Sequence, residues 1–119
     1  STGTADIKLG SKGDAWDSQG SDADNTVMGR TGDDTIAAGS GDDMLGGGGG
    51  DDIIDAGDGD NTLVGAEGDD TLLSGSGSDV VDGGSRDDVV QAGDGEDLVF
   101  GGSGDDRLAG EAGNDTIYG

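Results

Sequence analysis

A nine-residue period, kept without insertion over ten repeats, constrains this chain more than any other feature. Ile36, Leu45, Ile54, Leu63, Leu72, Val81, Val90, Val99, Leu108 and Ile117 each follow the last by nine residues. Two residues before each stands a carboxylate or its amide: Asp34, Asp43, Asp52, Asn61, Asp70, Asp79, Asp88, Asp97, Asp106 and Asp115. Two before that stands glycine, from Gly32 to Gly113, with Arg86 as the exception. A random acidic linker has composition without phase, so the period argues for structure. The apolar residue and its two neighbours form a short strand with the apolar side chain inward. The six residues before it must turn the chain, and glycine tolerates the positive φ that a tight turn demands.

Composition then shows what such a structure lacks. The 119 residues carry 28 acidic and 5 basic side chains, a net charge of -23, with 29 glycines and three aromatics, Trp16, Phe100 and Tyr118. Apolar burial on that scale does not offset the entropy of folding, so the chain alone in water is expected to be disordered. There is no histidine and no cysteine. That excludes Ser-His and Cys-His nucleophile systems, disulfides, and ordinary zinc or copper sites. No apolar run is long enough for a membrane-spanning helix. The acidic surface repels nucleic acid and anionic membrane, and its natural partners are cations. Glycine-rich turns expose backbone carbonyls, and the aspartates add carboxylates. This all-oxygen set suits a hard cation of flexible coordination, Ca²⁺ ahead of Mg²⁺, which wants stricter geometry. Soft metals lack their preferred ligands.

Gly101-Gly102-Ser103-Gly104-Asp105-Asp106-Arg107-Leu108-Ala109 is a complete copy of the unit G-G-x-G-x-D-x-U-x, where U is a large aliphatic. From Gly29 onward, with a weaker copy from Gly20 to Met28, the chain resembles the nonapeptide repeat of RTX (repeats-in-toxin) calcium-binding proteins. The resemblance implies an all-β, right-handed parallel β-roll, with two nonapeptides in each 18-residue turn and about five to six turns. Calcium ions would lie in two rows between turns stacked at about 4.8 Å, giving a rod of about 25 Å. Asp34, Asp52, Asp70, Asp88 and Asp106 would line one side, and Asp43, Asn61, Asp79, Asp97 and Asp115 the other. The implied carbonyl ligands are those of Gly39, Gly41, Gly48, Gly50, Gly57, Gly59, Gly68, Gly75, Gly77, Gly93, Gly95, Gly102 and Gly104. About eight Ca²⁺ would reduce the net charge from -23 to about -7. Folding coupled to calcium, and cooperative between turns, is the expectation.

Departures from the unit carry expectations of their own. Arg86 should strain its turn, and the sites around Asp88 are in question; either the guanidinium fills a site or the repeat has drifted, and drift is the plainer reading. Asn61 keeps an oxygen and should make weaker sites. Asn25, with Ala23 where glycine is wanted, should hold no proper ion. The acids just before the key aspartate (Asp33, Asp42, Asp51, Asp60, Asp69, Asp87, Glu96 and Asp105) read as a solvated edge that keeps the rod soluble. Residues 1–19 read as a degenerate capping turn before the repeat domain of 20–119, with Trp16 over the open end and Lys8 and Lys12 in a turn where charge replaces calcium. Ile7 and Trp16 are nine apart, and a two-residue insertion near Gln19 would restore their phase with Val27.

Other chemistry fits poorly. No D-x-[DN]-x-[DN]-G loop with a distal glutamate exists, and Gly46 to Gly50 is followed by Asp51 and Asp52 where a phosphate cradle needs lysine. Acid pairs such as Asp51 and Asp52 recur in nearly every repeat, which argues against a glycosidase couple. Thr35, Thr62, Thr71 and Thr116 form no continuous row for binding ice. Met28, Val64, Phe100 and Tyr118 would share one outward edge, interrupted by Gly46 and Asp82. No enzyme is expected. Two functions compete: a secreted or cell-surface structural module that folds on calcium and self-associates, its final repeat offering an open edge, or the repeat region of a larger type I-secreted protease, lipase, toxin or epimerase.

Overall fold

The computed structural model describes residues 6–10, 13–17 and 24–119. Its elements are thirteen short strands: β1 (Asp6–Lys8), β2 (Ala15–Asp17), β3 (Thr26–Met28), β4 (Thr35–Ala37), β5 (Met44–Gly48), β6 (Ile53–Asp55), β7 (Thr62–Ala66), β8 (Thr71–Leu73), β9 (Val80–Asp82), β10 (Val89–Gln91), β11 (Leu98–Phe100), β12 (Arg107–Ala109) and β13 (Thr116–Tyr118). No helix occurs among the described residues. Odd-numbered strands form one sheet in the order β1-β3-β5-β7-β9-β11-β13, and even-numbered strands form the other, β12-β10-β8-β6-β4-β2. Every pairing is parallel, so the chain alternates between sheets and advances one place in each per turn. This is an all-β solenoid of about six turns, consistent with a β-roll.

Three-residue strands follow from the repeat. Only the central residue of each has a buried role, and the glycine-rich segment on either side must turn. Val27, Leu45, Leu63, Val81 and Val99 from one sheet meet Ile36, Ile54, Leu72 and Val90 from the other in one apolar cluster. Ala38, Ala56 and Ala92, from the turns, complete it. A core one side chain deep on each face accounts for the flat shape, 34 × 30 × 14 Å.

That first turn is offset. Ile7 pairs with Val27 and Trp16 with Ile36, twenty residues apart, whereas later partners are eighteen apart. The two extra residues fall between β2 and β3; Gln19 itself, like Lys12, Gly20 and Ala23, lies outside the described residues. Trp16 continues the inward ladder and packs against the core. Lys8, in that first turn of the roll, occupies the outward, exposed end of its strand beside Met28, because the strand places its neighbour Ile7 inward. The outward row expected from the spacing is present: Met28, Gly46, Val64, Asp82, Phe100 and Tyr118 are successive register partners. Phe100 and Tyr118 stack at 5.2 Å.

The turns depend on left-handed backbone at two positions of each repeat. At the fourth position Gly95 has φ +116°, and a Cβ there would be driven into the Gly77 carbonyl of the preceding turn. Arg86 takes this same position with φ +76°. Its side chain is exposed and has no ion-pair or hydrogen-bond partner among the described residues, so the guanidinium fills no ion site. Arg86 keeps the turn at a steric cost of about 1–2 kcal/mol. Arg86→Gly should therefore raise the stability of the folded, calcium-saturated protein by about 1 kcal/mol. Gly95→Ala should lower it by about 2 kcal/mol. Urea unfolding of both variants checks this, and no gain from Arg86→Gly would show that the turn is unstrained.

Candidate metal sites

Each key aspartate enters its strand from the turn with the carboxylate pointing into the turn stack. Asp34, Asp43, Asp52, Asp70, Asp79, Asp88 and Asp97 are almost wholly buried, at 1–3 % exposure. Asp106 and Asp115 are half-buried, since no described turn covers them. One oxygen of each has an obvious task. The Asp52 Oδ1 accepts the Asp34 N–H at 2.7 Å, the Asp70 Oδ1 accepts the Asp52 N–H at 2.8 Å, and the Asp88 Oδ1 accepts the Asp70 N–H at 2.9 Å. On the other side the same chain runs from Asn25 through Asp43, Asn61, Asp79 and Asp97 to Asp115. The two expected rows are thus placed side by side at a constant interval of 18 residues.

The second oxygen is the anomaly. The Oδ2 atoms of those seven buried aspartates have no hydrogen-bond partner. A buried carboxylate oxygen left alone is among the costliest arrangements a protein can hold. Burial is the main cause that pushes these carboxyls upward, to about 6 for Asp52 and Asp88 and about 7 for Asp70 and Asp79. The backbone hydrogen bond works against this rise, and neighbouring carboxylates add to it. Asp34, Asp43 and Asp97 shift in the same direction for the same leading cause.

Carbonyls surround the orphan oxygens. A Cβ added to Gly29 would touch both the Asp34 Oδ2 and the Gly47 carbonyl of the next turn. The same holds for Gly65 with the Asp70 Oδ2 and the Gly83 carbonyl, and for Gly83 with the Asp88 Oδ2 and the Gly101 carbonyl. Glycine is required at these positions to leave the carboxylate and carbonyl that space. Asn61 outlines the rest of the cage. Its amide nitrogen, at the place of an orphan oxygen, lies 3.2 Å from the Gly57 and Gly59 carbonyls and 3.4 Å from that of Ser74 in the next turn. A carboxylate oxygen there would face three carbonyl oxygens, an arrangement that needs a positive charge among them. The residues present therefore fit a hard cation. Among the described residues no three acidic side chains converge, so any such ion would draw mainly on backbone oxygens plus one carboxylate.

The structure adds contributors that spacing did not indicate. The first-position carbonyls of Gly47, Ser74, Gly83 and Gly101 join the cage from the following turn. Gly48, an expected ligand, already accepts the Glu67 N–H at 3.0 Å, though a carbonyl has a second lone pair to offer. The two sides also differ at the first position. One has Gly29, Gly47, Gly65, Gly83 and Gly101; the other has Ala38, Ala56, Ser74 and Ala92, whose alanines are part of the core, and ends on Gly110. The Ser74 hydroxyl caps the Ala92 carbonyl at 2.7 Å.

The outer acids are more than a soluble edge. Oδ1 of Asp33, Asp51, Asp69 and Asp87 accepts the N–H of Asp51, Asp69, Asp87 and Asp105 at 2.8–3.1 Å. Asp24, Asp42 and Asp60 do the same for Asp42, Asp60 and Ser78. The inner carboxylates reach back to the preceding turn, and the outer ones reach forward to the next. In the first turn Asp14 spends its second oxygen on the Gly10 N–H at 2.7 Å, unlike the seven buried aspartates.

A family model for the RTX calcium-binding nonapeptide repeat, four copies long, matches residues 19–54, 46–81, 55–90, 73–108 and 82–117. No curated protein matches the chain. The matches together run over more than half of the sequence, and they coincide with the turns whose carboxylates and carbonyls form the cages. RTX repeats bind Ca²⁺, and the chain belongs to the RTX calcium-binding nonapeptide-repeat family.

Proposed function

We propose that this protein is a structural module that works outside the cell, stays unfolded where calcium is scarce, and folds into its roll where calcium is plentiful. The observation that carries this reading is the set of seven buried, unpartnered Oδ2 atoms. Aspartates one turn apart, at about 5 Å, repel by about 3 kcal/mol at an effective dielectric of about 20. The single aliphatic side chain that each strand buries contributes only about 2 kcal/mol. Repulsion of that size defeats the ladder, and cations between the turns reverse it. Asp34, Asp43, Asp52, Asp70, Asp79, Asp88 and Asp97 each supply a carboxylate oxygen, and the turn glycines supply carbonyls. Asp106 and Asp115 are the corresponding carboxylates of the last turn.

Self-association is the finer part of this reading. Ile117, inward in the last strand, remains 43 % exposed, and Tyr118 beside it is 55 % exposed. A second copy stacked on this strand would bury Ile117 and extend the odd-numbered sheet, which would give a filament. The second reading is that the roll is the calcium-triggered folding and secretion region of a larger protein whose catalytic or toxic part is elsewhere.

Circular dichroism at neutral pH should show strand structure in millimolar calcium and its loss with excess chelator. Equal strand content in both would overturn the calcium-folding reading. Electron microscopy of the calcium form separates filaments from discrete particles, and particles alone would remove the self-association claim.

Protons should partly replace calcium. The buried carboxyls have raised values in the fold, so the ion-free fold binds more protons than the unfolded chain does. Its stability is fullest below the ordinary value near 3.8 and is lost as pH rises through about 6 to 7. In chelator, strand signal should therefore appear as pH is lowered from 7.5 to 4. Identical spectra at both ends of that range would contradict the burial of these groups.

A further inference from the structure

Asn61 departs from its nine counterparts in chemistry and in what it does. Its Oδ1 accepts the Asp43 N–H at 2.8 Å. Only an oxygen can accept from an amide N–H, so this bond fixes the orientation of the side chain. The nitrogen then has to face the interior of the turn. There it meets the Gly57 and Gly59 carbonyls of its own repeat at 3.2 Å and the Ser74 carbonyl of the next turn at 3.4 Å. Asn61 is 1 % exposed, so the cage it fills is shut off from water. In the seven equivalent cages the corresponding atom is an unpartnered carboxylate oxygen. The Asn61 cage has an amide donor at the place where the others have a carboxylate oxygen.

We propose that Asn61 is a resident substitute for the ion, not a ligand to it. The amide hydrogens neutralise the three carbonyls that a cation would otherwise gather, and no orphan oxygen is left to attract one. One cage near the middle of the roll is thereby satisfied by the chain itself. The repeat then offers seven aspartate cages for calcium and one that is closed to it. This replaces the expectation that Asn61 makes a weaker ion site, and it rests on the reading that the other cages hold calcium.

Calcium stoichiometry at saturation, by native mass spectrometry and by equilibrium dialysis with elemental analysis, tests this. Asn61→Asp restores the acceptor-only cage and should bind one ion more per chain than the wild type. Asn61→Ala removes the amide without adding a ligand and should bind the same number as the wild type, with lower resistance to urea. An unchanged count in Asn61→Asp would overturn the proposal. So would the loss of one ion in Asn61→Ala, since that would make Asn61 a ligand. Wild-type protein that binds no calcium at all would remove the underlying reading together with the proposal, a result distinct from either variant outcome.

Discussion

A carboxylate that must be buried to hold one turn against the next is the constraint on which this fold rests. Oδ1 of each inner aspartate is committed to a backbone N–H in the neighbouring turn, and that commitment draws the whole carboxylate inside. Oδ2 goes with it and is left without a hydrogen-bond partner, beside carbonyl oxygens at Asp34, Asp70 and Asp88. The interaction that builds the roll therefore also creates the negative cages. A charge-assisted hydrogen bond of this kind contributes about 1.5–3 kcal/mol, comparable to the repulsion between stacked carboxylates. Neither term prevails by a wide margin without a cation, which is how a fold comes to depend on one.

Each turn is held from two directions. At adjacent residues such as Asp51 and Asp52, the outer carboxylate reaches forward and the inner one reaches back. The core adds one aliphatic side chain per strand, with parallel backbone hydrogen bonds along both sheets. Stability of this sort is distributed along the roll and comes mostly from nearest neighbours, so turns are expected to gain or lose order together with those beside them.

Much of this was readable in the sequence because its signals are periodic. The inward ladder from Val27 to Val99, the division of aspartates between two sides, the outward row from Met28 to Tyr118 and the positive φ of Arg86 all follow from counting by nine and eighteen. Other features left no such trace. Asp33 and its equivalents look like solvated acids because their partners are backbone N–H groups, which every residue but proline possesses. The first-position carbonyls are silent for the same reason. The role of Asn61 depends on which end of its amide faces the cage, and only the Asp43 N–H decides that.

The unlike first positions on the two sides have a consequence for how such a chain can change length. On one side a glycine leaves space that an Asp oxygen and a carbonyl occupy; on the other, at Ala38, Ala56 and Ala92, an alanine methyl fills the core. Loss or gain of nine residues would keep the period yet transpose the sides, setting methyl groups against cages and leaving voids under the ladder. Eighteen residues preserve every neighbour, including both sets of inter-turn carboxylate bonds. The written repeat is a nonapeptide, but the heritable unit, the smallest segment that duplication can copy or deletion can excise without refitting its surroundings, is the full turn.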